Sequence, residues 1–371
     1  MNDTGVVAAF TGVRKPFQLR EFPVTEPEPG TMLVEVRMAN VCGSDLHVWR
    51  GDYDVSRGQS EPFCLSIGHE MVGRIAALGE GVTHDWADEP LRVGDRVAYQ
   101  YFCPCGECRS CRKGSTPRCR QGLRYRMPPT EPPHFNAAYG QYYYVRKPQA
   151  VFKVPDNVPD VLAGPANCAL SQVIDGLERA GVGPGDTLVI QGAGGLGINA
   201  VAVAKERGVT QVIIIDAIES RLELALEFGA DATIDLNELK TAAARIARVR
   251  ELTDGEGADA VMEVVGSPAV VAEGIEMLAS GGVYLEIGNI NQKLNCEFNP
   301  ASIVHGGKTI LGLMWYRPKS LQKALELLST RASRYPFHKL LSHQYPLSAI
   351  DEAFRDQDAG SVHRAALLPW G

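Results

Sequence analysis

The segment TLVIQGAGGLG, Thr187 to Gly197, joins a short apolar run to a glycine-rich turn. A G-x-G-x-x-G spacing alone is a weak signal. Its position strengthens it here, because it follows a strand and opens a helix. Thr187–Gln191 reads as the strand, and Leu196–Arg207 as the helix, with Gly208 as its stop. In such a turn Gly192 allows the tight bend and Gly194 lets the backbone approach a pyrophosphate. Gly197 permits close packing of helix on strand. Gly195 and Leu196 start the helix whose free N–H groups would face the phosphates.

Further along, Gln211–Ile215 reads as a second strand and Ser220–Phe228 as a second helix ending at Gly229. Asp259–Val264 and Val283–Ile287 read as further strands. Strand and helix alternate, which implies a parallel sheet covered on both faces: an α/β, doubly wound Rossmann fold. Asp216 ends the second strand, 19 residues after Gly197. A carboxylate there can accept hydrogen bonds from the adenine ribose and repels a 2′-phosphate, so NAD is favoured over NADP. The plainer reading of Asp216 is a cap for the next helix.

The first 150 residues differ. Thr31–Met38 and Arg96–Tyr99 read as short strands between Gly and Pro, and no helix of useful length is expected before about Val161. Thr83–Pro90 and the Pro-rich Arg126–Pro133 read as surface loops. After Thr309 a last strand leads to a helix over Leu321–Ser329.

The chain has 371 residues, enough for two domains, with 45% hydrophobic residues and a net charge of −7. The negative charge argues against a nucleic-acid partner. No apolar run approaches the roughly 20 residues of a membrane span. Met1 to Phe10 does not resemble a signal peptide, so a cytoplasmic, reducing setting is expected.

Nine cysteines are present, five of them within 103–119. Cys105, Cys108, Cys111 and Cys119 follow C-x2-C-x2-C-x7-C. Short gaps let neighbouring thiolates point at one centre, and the long gap brings back a fourth. Four thiolates close a tetrahedral zinc site and leave no open position, which suits structure and not catalysis. Arg109, Arg112, Lys113 and Arg118 would offset the excess negative charge. Free thiols in a loop are the plain alternative, and Cys103 reads as a spare thiol.

Cys42, His69 and Cys168 are scattered. Singly, each reads as an ordinary buried side chain. Together they offer two thiolates and an imidazole, the set that holds catalytic zinc in alcohol dehydrogenases with a fourth position open. Spacing alone does not derive that match. Cys42-Gly43-Ser44-Asp45, Gly68-His69-Glu70, the four-cysteine lobe, Cys168 and Gly192–Gly197 occur in an order that resembles the zinc-containing medium-chain dehydrogenase/reductase superfamily over essentially the whole chain.

The resemblance implies Cys42, His69 and Cys168 as ligands of a catalytic zinc, and two zinc ions per chain in all. It implies Asp45 as the carboxylate partner of His69, and Glu70 as a neighbour or exchanging ligand. Ser44 lies close enough in sequence to reach an oxygen on the metal. With His47 it would form a proton relay through the nicotinamide ribose, although a surface histidine is the plain reading of His47. Arg221 would lie beside the adenine ribose, Arg364 at the cofactor phosphates and Asn289 at the cofactor near the substrate cleft. Trp49, Tyr101, Tyr139 and Met314 would line the substrate pocket, although aromatics are as often core. Gly43 replaces a basic residue that some relatives place against the pyrophosphate.

The expected layout is a GroES-like β-rich catalytic domain over 1–169, a Rossmann domain over 170–310 and a C-terminal segment, 311–371, completing the first. A homodimer or homotetramer is expected, pairing at the edge Thr309–Leu313. The expected reaction is hydride transfer between a medium-sized, secondary or cyclic alcohol and NAD. A polyol or biosynthetic-intermediate dehydrogenase, a zinc-independent reductase and a non-enzymatic relative are the alternatives.

Overall fold

The structure is a computed structural model and describes residues 2–56, 64–122, 128–291, 293–340 and 343–371. The chain forms two compact units. One comprises Met1–Ser171, Arg317–Ser333 and Phe337–Gly371; the other comprises Gln172–Tyr316 and Arg334–Pro336.

In the second unit, six strands lie parallel: β1 (Thr187–Gln191), β2 (Gln211–Asp216), β3 (Ala232–Asp235), β4 (Ala258–Glu263), β5 (Leu278–Glu286) and β6 (Thr309–Gly312). Their order is β3-β2-β1-β4-β5-β6. The order reverses between β1 and β4, where ligands bind such sheets at the carboxyl ends of the strands. Leu188, Val189, Ile190, Val212, Ile213 and Ile214 are fully buried, as strands covered on both faces require. The expected boundary at 310 falls inside β6. That strand pairs with β5, so residues 311–316 belong with the parallel sheet.

The glycine turn has a steric basis. Gly192 has φ +103°, and a Cβ on Gly197 would stand 1.9 Å from the Gly192 carbonyl oxygen. Only glycine lets the helix Gly195–Glu206 start so close to β1. A Cβ on Gly194 would meet nothing within 4 Å, leaving backbone open to a ligand.

The first unit is built on a seven-stranded sheet. His343–Pro346, Ala365–Leu368, Met32–Asn40, Glu70–Leu78, Arg96–Tyr99 and Val151–Lys153 lie side by side, and Tyr142–Val145 also pairs with Met32–Asn40. Thr4–Ala9 and Gln18–Pro23 form a separate antiparallel pair. Val34, Val36, Val97, Tyr99, Phe354 and Leu367 are fully buried in its core.

The expectation of no helix before Val161 is corrected: Gly43–Arg50 is helical. Its N-cap is a cysteine and its first residue a glycine, so the usual start signals are missing. Asp45 supplies the cap by accepting from the Cys42 N–H, and Gly51 ends the helix at φ +85°. Asp85 organises the loop at 83–90, accepting from the Ala87, Glu89 and Lys153 amides. Of the second expected loop, 126 and 127 lie outside the described residues, and 128–133 are irregular.

Candidate active site

Strand register builds the site. Met32–Asn40 runs directly into Val41 and Cys42, and its antiparallel partner begins at Glu70, one residue after His69. Asn40 pairs with Glu70, so Cys42 and His69 emerge side by side. On the other edge Asn40 pairs with Ala366, and the Val41 N–H donates to Ala365 O at 3.0 Å, which brings Arg364 alongside. Cys168 comes from a separate turn. Asn167 Nδ2 fixes that turn by donating to His69 O at 3.1 Å and Tyr99 O at 3.0 Å.

One ligand atom each from Cys42, His69, Glu70 and Cys168 fall within 4.8 Å of one another, and all four residues are buried. His69 Nε2 is 3.2 Å from Cys168 Sγ. Its Nδ1 is 3.2 Å from Asp45 Oδ1. A carboxylate on one ring nitrogen, turning the other to soft donors, is how proteins orient a metal-binding histidine. Behind it, the buried Tyr139 hydroxyl donates to Asp45 Oδ2 at 2.8 Å. Burial, then the Asp45 charge, holds the phenol well above its ordinary range, so it stays a donor.

The charges are tightly coupled. A hydrogen bond from Cys168 holds the Cys42 thiol well below the ordinary range; burial opposes this, and His69 and Arg364 assist. The same bond pushes Cys168 well up. Burial alone would lower His69, but the Asp45 and Cys42 charges lift it to about 10. Burial pushes Glu70 up to about 8 against the pull of Arg364. Glu70 Oε2 faces Arg364 Nη1 at 3.0 Å, while Oε1 has no hydrogen-bond partner among the described residues. Soft thiols, an oriented imidazole and a carboxylate with one oxygen unpaired suit zinc, which takes sulfur, nitrogen and oxygen donors.

The lobe forms a second group: Cys105, Cys108, Cys111 and Cys119 also offer ligand atoms within 4.8 Å of one another. Cys105 and Cys111 Sγ are 3.9 Å apart. Zinc–sulfur bonds of about 2.3 Å in a tetrahedron put sulfurs roughly 3.8 Å apart. Amide N–H groups of Cys105, Cys108 and Cys111 point at Cys119, Cys105 and Cys108 Sγ at 3.3, 3.2 and 3.5 Å. Chiefly through the Cys108 amide, Cys105 is lowered to about 6. Cys103 stands apart, with Sγ 3.8 Å from Lys147 O.

Ser44 and His47 are three apart on the helix Gly43–Arg50 and half-buried. His47 Nδ1 is 3.0 Å from Asp52 Oδ2. Tyr101 lies against the metal-site imidazole, ring centroids 4.6 Å apart.

The structure places three more of the expected residues. Trp49 is buried in the core cluster, 6.2 Å from the Phe354 ring and capped by Arg14. Tyr139 stands behind Asp45, not at a substrate surface. Arg364 Nη1 is 3.0 Å from Glu70 Oε2, which sets the guanidinium beside that buried carboxylate. The packing of distant segments decides each case, and local sequence carries no trace of it. Met314, 56% exposed, belongs to the other unit, its carbonyl held by Gln172 at 3.0 Å.

At the dinucleotide turn, Asp216 Oδ2 accepts from the Ala193 N–H at 2.6 Å, and Oδ1 accepts from Ala217 and Ile218 at 2.8 and 3.0 Å. The carboxylate thus ties the glycine turn to the end of β2. Arg221 lies on the first turn of the helix Glu219–Glu227. Sequence reading missed Ile218 and Val265, exposed apolar residues (41% and 48%) just past β2 and β4.

It also missed Glu263. This carboxylate accepts from Val265 and Gly266 N–H on one oxygen, and from Gly288 N–H and Asn289 Nδ2 on the other. Burial, then Glu286, pushes it up to about 8. A glutamate closing the apolar strand Ala-Asp-Ala-Val-Met-Glu263 was the available signal. Asn289 donates to both glutamates, and its Oδ1 has no partner among the described residues.

Nucleotide-turn geometry and a buried thiol–imidazole group define a metal-using dehydrogenase. Family models agree: the alcohol dehydrogenase GroES-like domain matches residues 28–156, and the zinc-binding dehydrogenase domain matches 195–330. The chain is 32% identical over 345 residues to 5-exo-hydroxycamphor dehydrogenase of Pseudomonas putida, covering 92% of each. It is 30% identical to sorbitol dehydrogenase of Halalkalibacterium halodurans, covering 95% of this chain and 96% of that one. A crystal structure of an alcohol dehydrogenase from Thermotoga maritima superposes with TM-score 0.88 at 26% identity, covering 98% and 99%. The chain belongs to the zinc-containing medium-chain dehydrogenase/reductase superfamily. It is an oxidoreductase of that family.

Proposed function

We propose that this protein is a zinc-dependent alcohol dehydrogenase that uses NAD and converts a medium-sized secondary or cyclic alcohol to its ketone, reversibly. The observation that carries the reading is the convergence of Cys42, His69, Glu70 and Cys168 in one buried group. Cys42, His69 and Cys168 would hold a catalytic zinc, and the Cys105–Cys119 lobe a second, structural one. Zinc bound at the first site would polarise an alcohol oxygen and lower its pKa. Asp45 keeps His69 in register. Ser44 and His47, on one helix face, would accept the released proton and pass it outward, with Asp52 holding His47 Nδ1.

Gly192, Gly194, Gly195, Leu196 and Gly197 would cradle the pyrophosphate, with Ile218 and Val265 offering apolar surface to the adenine. Asp216 would face the ribose hydroxyls beside Arg221, which favours NAD over NADP, and Asn289 Oδ1 is a free acceptor for the cofactor. Tyr101 beside His69 gives the metal site an aromatic wall, favouring an apolar substrate over a sugar-like one. The hydroxycamphor relative, named for a cyclic alcohol, supports the same choice. Crowded thiolate ligands suit a reducing, cytoplasmic setting. The edge strand β6 would pair between copies in a homodimer or homotetramer.

The test is zinc content together with an alcohol panel run with NAD+ and NADP+. Two zinc ions per chain and turnover of secondary or cyclic alcohols with NAD+ are expected. Strong turnover of polyols alone would replace the substrate reading. Full activity with one zinc per chain would replace the mechanism.

A further inference from the structure

Asp45 receives three hydrogen-bond donors. His69 Nδ1 is 3.2 Å from Oδ1, while Oδ2 accepts from the Cys42 N–H at 3.0 Å and from the Tyr139 hydroxyl at 2.8 Å. Asp45 and Tyr139 are 3% and 1% exposed, so water competes little for these bonds.

The Tyr139 ring is itself fixed. Phe17 and Phe354 meet it edge-on, centroids 6.4 and 5.7 Å away. On a third side it covers Gly68, where a Cβ would stand 2.8 Å from the ring and φ is +90°. Gly68 immediately precedes His69, and its carbonyl accepts from Ala138 N–H at 3.2 Å. Tyr139 therefore holds His69 twice, by its hydroxyl through Asp45 and by its ring through the backbone at Gly68.

We propose that Tyr139 is a positioning residue of the metal centre: it locks the Asp45 carboxylate so that His69 keeps Nε2 turned to the cysteines, and so raises the site's affinity for its divalent metal. This rests on the reading of Cys42, His69 and Cys168 as a metal site. Without the hydroxyl, Oδ2 keeps only the Cys42 amide. The carboxylate can then rotate, and the imidazole samples orientations that miss the metal. Removing an outer partner of a metal-binding histidine weakens metal binding about 10–100-fold. Tyr139 acts one bond further out, and about 10-fold is the expected size.

The experiment is Tyr139→Phe in the full-length protein, which keeps the ring and removes only the hydroxyl. Zinc affinities are read by competition with a chromophoric chelator, with the four-cysteine lobe as internal reference. The catalytic site is expected to weaken about 10-fold with the lobe unchanged. The ligand-field bands of the cobalt(II)-substituted site are expected to shift. In an Asp45→Asn background the same substitution should cost little more, because its effect runs through that carboxylate. Unchanged affinity with an unchanged cobalt spectrum in Tyr139→Phe overturns the proposal. So does a full loss that persists in the Asp45→Asn background. A wild-type chain holding only the lobe zinc overturns the metal-site reading, and the proposal with it.

Discussion

Arg364 and Glu70 form a buried ion pair, Nη1 to Oε2 at 3.0 Å, beside the thiols of Cys42 and Cys168. Breaking one half of such a pair leaves an uncompensated buried charge and costs about 3 kcal/mol. Arg364→Leu is therefore expected to lower the urea midpoint of the catalytic unit, and adding Glu70→Gln should restore part of the loss. An unchanged midpoint in Arg364→Leu would show that the pair is not under tension.

Cys168→Ala is expected to release one zinc per chain and abolish alcohol oxidation, with far-ultraviolet circular dichroism unchanged. The sheet around it is held by Asn167 and the strand register, not by the thiol. Retained turnover would remove Cys168 from the reaction.

Cys111→Ser addresses the other metal. The lobe has only four-residue and three-residue helices of its own, Arg109–Arg112 and Thr116–Arg118, so its order would depend on the proposed ion. The variant is expected to lose one zinc and melt earlier while keeping measurable activity when fresh. Loss of all activity with no change in melting would contradict a structural role.

Asp216→Ala tests cofactor choice. It removes the carboxylate that would face the ribose, and also the acceptor of three backbone amides. Hydrogen bonds to a charged group contribute about 1.5–3 kcal/mol, so NADH affinity should fall about 10-fold or more by fluorescence titration. NADPH should lose less, because repulsion of its 2′-phosphate disappears. Equal losses for both would mean that Asp216 only shapes the turn.

Glu263 gives a pH signature. Its folded-state pKa is raised from 4.5 to about 8, first by burial and then by Glu286. Between these values the folded chain binds more protons than the unfolded one. The contribution is thus fully present below the unfolded pKa, declines as pH rises and is lost above about 8. Glu263→Gln should flatten that slope when unfolding midpoints are compared at mildly acid and mildly alkaline pH. Parallel curves for wild type and variant would assign the slope elsewhere.

What could be read from sequence was local. The lobe and the glycine turn are spacings within one short segment, and β1 and Arg96–Tyr99 lie where apolar runs between breakers put them. The site's second layer was less legible. Tyr139 reaches Asp45 across 94 residues and Arg364 reaches Glu70 across 294, distances over which composition says nothing. Trp49 can be read either way from sequence, because bulky aromatics near a site and in a core share one signature. The helix Gly43–Arg50 escaped notice because its cap is a potential metal ligand and its capping carboxylate also serves the histidine.

The pairing of Asn40 with Glu70 has a consequence for assembly. Side chains alternate across a strand, so a slip of one residue turns the whole set to the opposite face. A chain paired one step out would present Cys42 and His69 on different sides of the sheet. Capture of the proposed metal would therefore inspect the fold. Only a correctly zipped chain would bring both ligands to the ion.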